Sequence, residues 1–214
     1  MRLLRLLTFL ALALCAPSLL AQSISSMEQR HSWQSSQVLV RAALKIEVAA
    51  TATAPSRTFW LFIERTPNNR LRMITKDTMD GPTTLTFLVQ DNVCLALAGE
   101  EVGNPAAPWM LGHYLVGQSL EPSMLLAWAM GVPGHDFQVD APEAIVVQEK
   151  GKASRIEQAG WRVSYDTWTQ ANPGEPSVPS IFDVAGEGVA MQVALAKIET
   201  YQAVPEGYSE FKIM

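Results

Sequence analysis

Histidine is scarce in this chain: three in 214 residues, His31, His113 and His135, none with a second ligand at metal-binding spacing. Each reads as a surface or capping histidine. Charge is thin as well, 17% of residues, with 16 basic against 21 acidic groups and a net of −5. Nothing resembles the basic stripe that a phosphate backbone requires, so nucleic acid is excluded as a partner. No Gly-x-Ser-x-Gly elbow, phosphate-binding loop or dinucleotide fingerprint occurs. Asp166, Asp183 and Glu187 read as solvated groups, and Gly99-Glu100-Glu101 as an acidic turn after a strand. No nucleophile–base pair stands out, so an enzyme is disfavoured and neither cofactor nor metal is expected. Beyond residue 21 no apolar run is long enough to cross a membrane as a helix.

The first 21 residues have the pattern of an export signal. Arg2 and Arg5 open it, an apolar run interrupted only by Thr8 follows, and Ala21-Gln22 offers a cleavage point. The expectation is an exported, periplasmic protein with one domain over 22–214. Cys15 leaves two readings. It is discarded with the signal, or it is the acylated first residue of a lipoprotein, although Leu14 is bulky where a small residue normally precedes such a cysteine. If Cys15 is discarded, Cys94 is the only cysteine left and no internal disulfide forms. Cys94 sits in the apolar run Val93-Cys94-Leu95 and reads as a small buried hydrophobe.

Strand patterns fill most of the remaining chain. Residues 44–48 alternate apolar and charged, and 58–64 are apolar on both faces, with Phe59, Leu61 and Ile63 opposite Trp60 and Phe62. Further strands are expected at 70–75, 84–90 and 93–97, joined by short turns into an antiparallel meander. Strands resume at 144–148, 154–157, 161–168, 180–184 and 189–201, with Lys150-Gly151-Lys152 and Ala159-Gly160 as hairpin connections. Alanines at 190, 194 and 196 suggest room for something bulky against one face of the last strand.

Between the two groups of strands lies a different texture. Residues 109–116 form a short apolar helix candidate, and residues 121–134 form a stronger one. Pro122 can open a helix without losing a needed hydrogen bond, and Gly131 and Pro133 stand past its end. Between them are Met124, Leu125, Leu126, Trp128 and Met130, with Ser123 the only polar side chain. Such a helix must press into something apolar, either as an ordinary core element or as a plug over a pocket. Nine methionines and six tryptophans supply adaptable apolar walls for either arrangement. The fold class is therefore mainly β: an unclosed antiparallel β-barrel, in effect a large curved sheet, with inserted α-helices capping an apolar cavity.

The order of these pieces resembles the LolB family of outer-membrane lipoprotein acceptors, within the wider group that includes the periplasmic carrier LolA. Residues 124–134, Met-Leu-Leu-Ala-Trp-Ala-Met-Gly-Val-Pro-Gly, look like the family's Leu-x-x-Trp-(apolar)-x-Gly-(apolar)-Pro-Gly stretch. Gly160-Trp161-Arg162-Val163-Ser164-Tyr165 looks like its Trp-x-(apolar)-x-Tyr strand, and Val178-Pro179-Ser180 with residues 189–198 like its final pair. The likeness runs from about residue 31 to 202.

The resemblance implies transfer rather than catalysis. Acyl chains of lipidated proteins would pass from a LolA-like periplasmic carrier into the cavity and on to the outer membrane. One parity of each early strand would line that cavity, with Leu44, Phe59, Leu61, Leu71, Met73, Leu85 and Phe87 as candidates, joined by Met124, Leu125 and Trp128 of the helix. Alternation alone leaves Trp60 and Phe62 open as the other choice. The family also carries a protruding apolar residue after its third strand, used in membrane insertion, and Met79 is the matching position. Asp77 and Asp80 flank it, where the family loop is less charged. A soluble periplasmic carrier or sensor that binds lipid without inserting it is the competing function.

Overall fold

The computed structural model describes residues 27–68, 70–90, 93–97, 100–106, 115–118, 120–134, 143–170, 174–186 and 188–209, with backbone alone at 90, 93–97 and 100–106. The signal segment with Cys15, most of the 109–116 helix candidate, His113, His135 and Glu187 lie outside these residues, as does the side chain of Cys94.

Helix α1, Met27–Ser35, comes first and was not apparent from the apolar pattern. Six strands follow: β1 (Leu39–Val48), β2 (Arg57–Arg65), β3 (Leu71–Lys76), β4 (Thr83–Gln90), β5 (Val93–Leu97) and β6 (Glu100–Ala106). Helix α2, Pro122–Ala129, separates them from β7 (Ala144–Glu149), β8 (Lys152–Gln158), β9 (Trp161–Gln170), β10 (Ser177–Gly186) and β11 (Val189–Tyr201).

All eleven strands make one sheet in the order β6-β5-β4-β3-β2-β1-β11-β10-β9-β8-β7, antiparallel throughout. Every neighbour is adjacent in sequence except at the centre, where the last strand pairs with the first. The two meanders thus meet at β1 and β11, and β6 and β7 are left at the two ends, so the barrel is not closed. Glu100 and Glu101, read above as an acidic turn, instead begin β6, pairing with Leu97 and Ala96. An end strand needs only one hydrogen-bonded side, which is why Gly103 and Pro105 are tolerated there.

The period of two sorts the side chains. Leu44, Ile46, Leu61, Ile63, Met73, Phe87, Val163, Phe182 and Val193 all face one concave core and are almost entirely buried. Trp60 and Phe62 face away, stacked on each other with ring centroids 6.5 Å apart, and both are only half-buried. The parity left open in the sequence therefore falls to Phe59, Leu61 and Ile63. Ala190 and Ala194 stand on the outer side of β11, so they do not make room for a bulky neighbour within the core.

Candidate functional site

The concave face is covered by α2. Pro122 occupies its first turn, and its far end closes in a Schellman motif: Gly131 N–H donates to the Trp128 carbonyl at 2.9 Å and Val132 N–H to that of Ala127 at 3.1 Å. Gly131 has φ +76°, the left-handed conformation this cap requires. All eight residues of α2 are buried, Leu125, Ala127, Trp128 and Ala129 completely. A helix buried all round has no solvent face, and this one belongs to the same buried cluster as the sheet's inward side chains.

Polar groups from β8 and β9 fix it in place. The Gln158 side chain is 2% exposed, and its carbonyl accepts from Trp128 Nε1 at 3.4 Å and from Gly134 N–H at 3.0 Å. Its amide donates to the Gly134 carbonyl at 3.3 Å. Tyr165 donates its hydroxyl to the Trp128 carbonyl at 3.1 Å. Burial pushes the Tyr165 pKa well above its ordinary value, with the nearby Arg30 charge opposing. The phenol therefore stays protonated and keeps donating. At the helix end, a Cβ on Gly131 would lie 2.5 Å from Trp168 Cη2, so only glycine admits that ring.

Helix α1 is pinned from two sides by buried arginines. Arg30 donates to the Ser177 carbonyl at 2.5 Å and lies 4.7 Å from the Trp168 ring centroid. Burial lowers its pKa to about 10, so it stays charged at neutral pH. Arg65, from the end of β2, donates to the carbonyls of Gln34 (3.2 Å) and Gln37 (2.6 Å) at the C-terminal end of α1, where a cation complements the helix dipole. Trp168 thus stands between α1 and the end of α2, touched by Arg30 and crowded by Gly131.

Of the residues expected on the concave wall, Leu44, Phe59, Leu61, Leu71, Met73, Phe87, Met124, Leu125 and Trp128 belong to one contiguous buried cluster. Leu85 packs against it partly buried. Met79 lies apart, 48% exposed in the β3–β4 turn, with Asp77 and Asp80 exposed beside it. The polar pins Arg30, Arg65, Gln158 and Tyr165 were not anticipated. Tyr165 alone carried a signal, since Trp161, Val163 and Tyr165 alternate and all three are buried. Among the described residues, no group of three or more His, Cys, Asp or Glu is placed to hold a metal. The chemistry the described residues offer is apolar contact, steadied by hydrogen bonds from the neutral Gln158 and Tyr165 and the charged Arg30 and Arg65.

The family described as "Outer membrane lipoprotein LolB" matches residues 57–197. A relative from Halorhodospira halophila, an outer-membrane lipoprotein LolB, is 32% identical over 80 residues, which is 37% of this chain and 37% of that protein. The match thus spans little more than a third of that relative. A LolA superfamily protein from Nitrosomonas europaea superposes with a TM-score of 0.48 at 8% identity, over 83% of this chain and 95% of that one. An outer membrane lipoprotein-sorting protein domain from Vibrio parahaemolyticus gives 0.47 at 10% identity, over 88% and 95%.

Proposed function

Because the chain belongs to the LolB family of outer membrane lipoproteins, we propose that it accepts lipidated proteins and shelters their acyl chains on the concave face of its sheet. The observation that carries this reading is α2: a buried helix, apolar but for Ser123, laid on a predominantly apolar sheet face. Acyl chains that replace its side chains meet the same kind of surface, and each buried methylene contributes about 0.8 kcal/mol. The Met and Leu side chains around it adapt to chains of varied shape.

In this reading residues 1–21 direct export, domain 22–214 works in the periplasm, a LolA-like carrier delivers the cargo, and the outer membrane receives it. Met79 dips into the bilayer at release. Burying one such side chain gives about 1.5–3 kcal/mol, enough to favour a transfer step but too little to anchor a protein. The acidic pair Asp77 and Asp80 favours a second reading, a soluble carrier that does not insert.

The test is binding of a fluorescent fatty-acid probe to the folded protein, with Leu125→Glu abolishing it. Absence of probe binding to correctly folded wild type overturns the carrier reading altogether. Delivery of a lipidated substrate to liposomes separates the two versions: Met79→Glu should block delivery while loading persists, and equal rates favour the soluble carrier. The intact mass of the exported protein shows either a free Gln22 or an acylated Cys15.

A further inference from the structure

Where β1, β2 and β11 meet their connecting loops, the structure holds a recess of about 610 Å³. Its walls are the β1–β2 loop, the turn at 116–118 and the start of β11. The volume is that of a small-molecule site. Its floor is apolar: Val48, Val116 and Val189 line it, and all three belong to the same contiguous cluster as Leu125 and Trp128. The recess thus borders the buried apolar cluster at one end of these strands.

Among the described residues that line it, one is a cation. Arg57, the first residue of β2, shares the inward parity of Phe59 and Leu61, and its guanidinium lies 5.0 Å from the Phe59 ring centroid. Partial burial lowers its pKa from the ordinary value, yet arginine remains charged at neutral pH. The other polar side chains among the described lining residues, Thr51, Thr53 and Gln118, are neutral. A single guanidinium at the edge of an apolar recess matches a ligand with an anionic head and an apolar tail, because the fork of donors pairs with a carboxylate or phosphate.

We propose that this recess binds the head of an anionic, single-chain amphiphile, with its carboxylate or phosphate on Arg57 and its acyl chain passing between Val48, Val116 and Val189 toward the concave face. The proposal rests on the acyl-carrier reading and adds to it a point of entry and a charge preference. A fatty acid and a lysophospholipid share the required chemistry, and the experiment distinguishes them.

Binding of oleate, lysophosphatidic acid and the neutral monoolein is measured by calorimetry on the full exported chain, for wild type, Arg57→Gln and Ala52→Trp. Arg57 is exposed enough that glutamine should not disturb folding, and Ala52 lies in the exposed loop that walls the recess. Arg57→Gln should weaken the anionic probes about tenfold, the loss of one charge-assisted contact, and leave monoolein unchanged. Ala52→Trp should weaken all three by filling the recess. An effect of Arg57→Gln on oleate alone assigns a carboxylate head, and an effect on both anions assigns either head. Equal weakening of all three probes by Arg57→Gln, or no change in any, overturns the head site while leaving the carrier reading intact. No effect of Ala52→Trp overturns the point of entry. Failure of wild type to bind any of the three overturns both readings together.

Discussion

Replacing Gln158 by leucine isolates the polar attachment of α2. Leucine keeps the apolar bulk but removes an acceptor for Trp128 Nε1 and both partners of the Gly134 peptide groups. Trp128 is completely buried, so its indole N–H is left without water, at a cost of about 1–3 kcal/mol. The 3.4 Å separation makes this a weak bond to begin with, which places the loss near 1 kcal/mol. Gly134 is half-buried and regains water, so its two bonds contribute about 0.5–1 kcal/mol each. Gln158→Leu should therefore cost roughly 2–3 kcal/mol, a sum of these terms. Trp128→Phe removes the donor itself, so in that background Gln158→Leu should cost about 1 kcal/mol less. Urea unfolding of the four proteins, with slopes compared to confirm a common unfolded state, gives this coupling directly. A coupling at or below about 0.4 kcal/mol, the scatter of independent sites, would refute the claim that Gln158 and Trp128 act on one another.

Gly131→Ala should destabilise by about 2–4 kcal/mol, because the left-handed cap and the Trp168 ring, 2.5 Å from the new Cβ, both oppose it; a change under about 1 kcal/mol in denaturant unfolding refutes that packing. Ala159 is held at φ +52° in the β8–β9 turn, so Ala159→Asn should raise stability by about 0.5–1 kcal/mol, visible as a higher melting temperature, and a lower one contradicts the strain. Tyr165 has a raised folded-state pKa, so the stability linked to it is complete below the unfolded value near 10 and declines as pH rises above it. Relative to Tyr165→Phe, wild type should lose up to about 1.4 kcal/mol per pH unit there, and parallel stability–pH curves would exclude a buried neutral phenol.

Much of this architecture can be read from the chain because strand alternation is local. Residues 44–48 and 161–168 advertise their inward faces, 58–64 advertise a strand but not which face turns inward, and Pro122 with Gly131 and Pro133 brackets a helix that the structure ends within two residues of Gly131. Elements whose burial depends on distant partners are silent. Helix α1 reads Met-Glu-Gln-Arg-His-Ser-Trp-Gln-Ser, and only Met27 and Trp33 hint at a core face. Its burial depends on Arg30 and Arg65 finding backbone carbonyls far away in sequence, which no spacing reveals. Strand β6 lacks alternation and carries Gly103 and Pro105, so only its place at the end of the sheet accounts for it. Gln158 lies in the sequence just past the expected 154–157 strand with nothing to mark it, and its importance appears only once Trp128 and Gly134 stand beside it.

The free ends at β6 and β7 bear on how much the molecule can hold. In a closed barrel, strand number and stagger set the diameter, and capacity is a fixed property of the hydrogen-bond ladder. Here, among the described residues, no ladder joins the first meander to the second except at β1 and β11, so the two wings can splay or draw together by changes of twist alone, with every strand pair kept. Such a container has no preset gauge: its width follows its contents, and a bulky load and a slender one can be gripped by the same eleven strands.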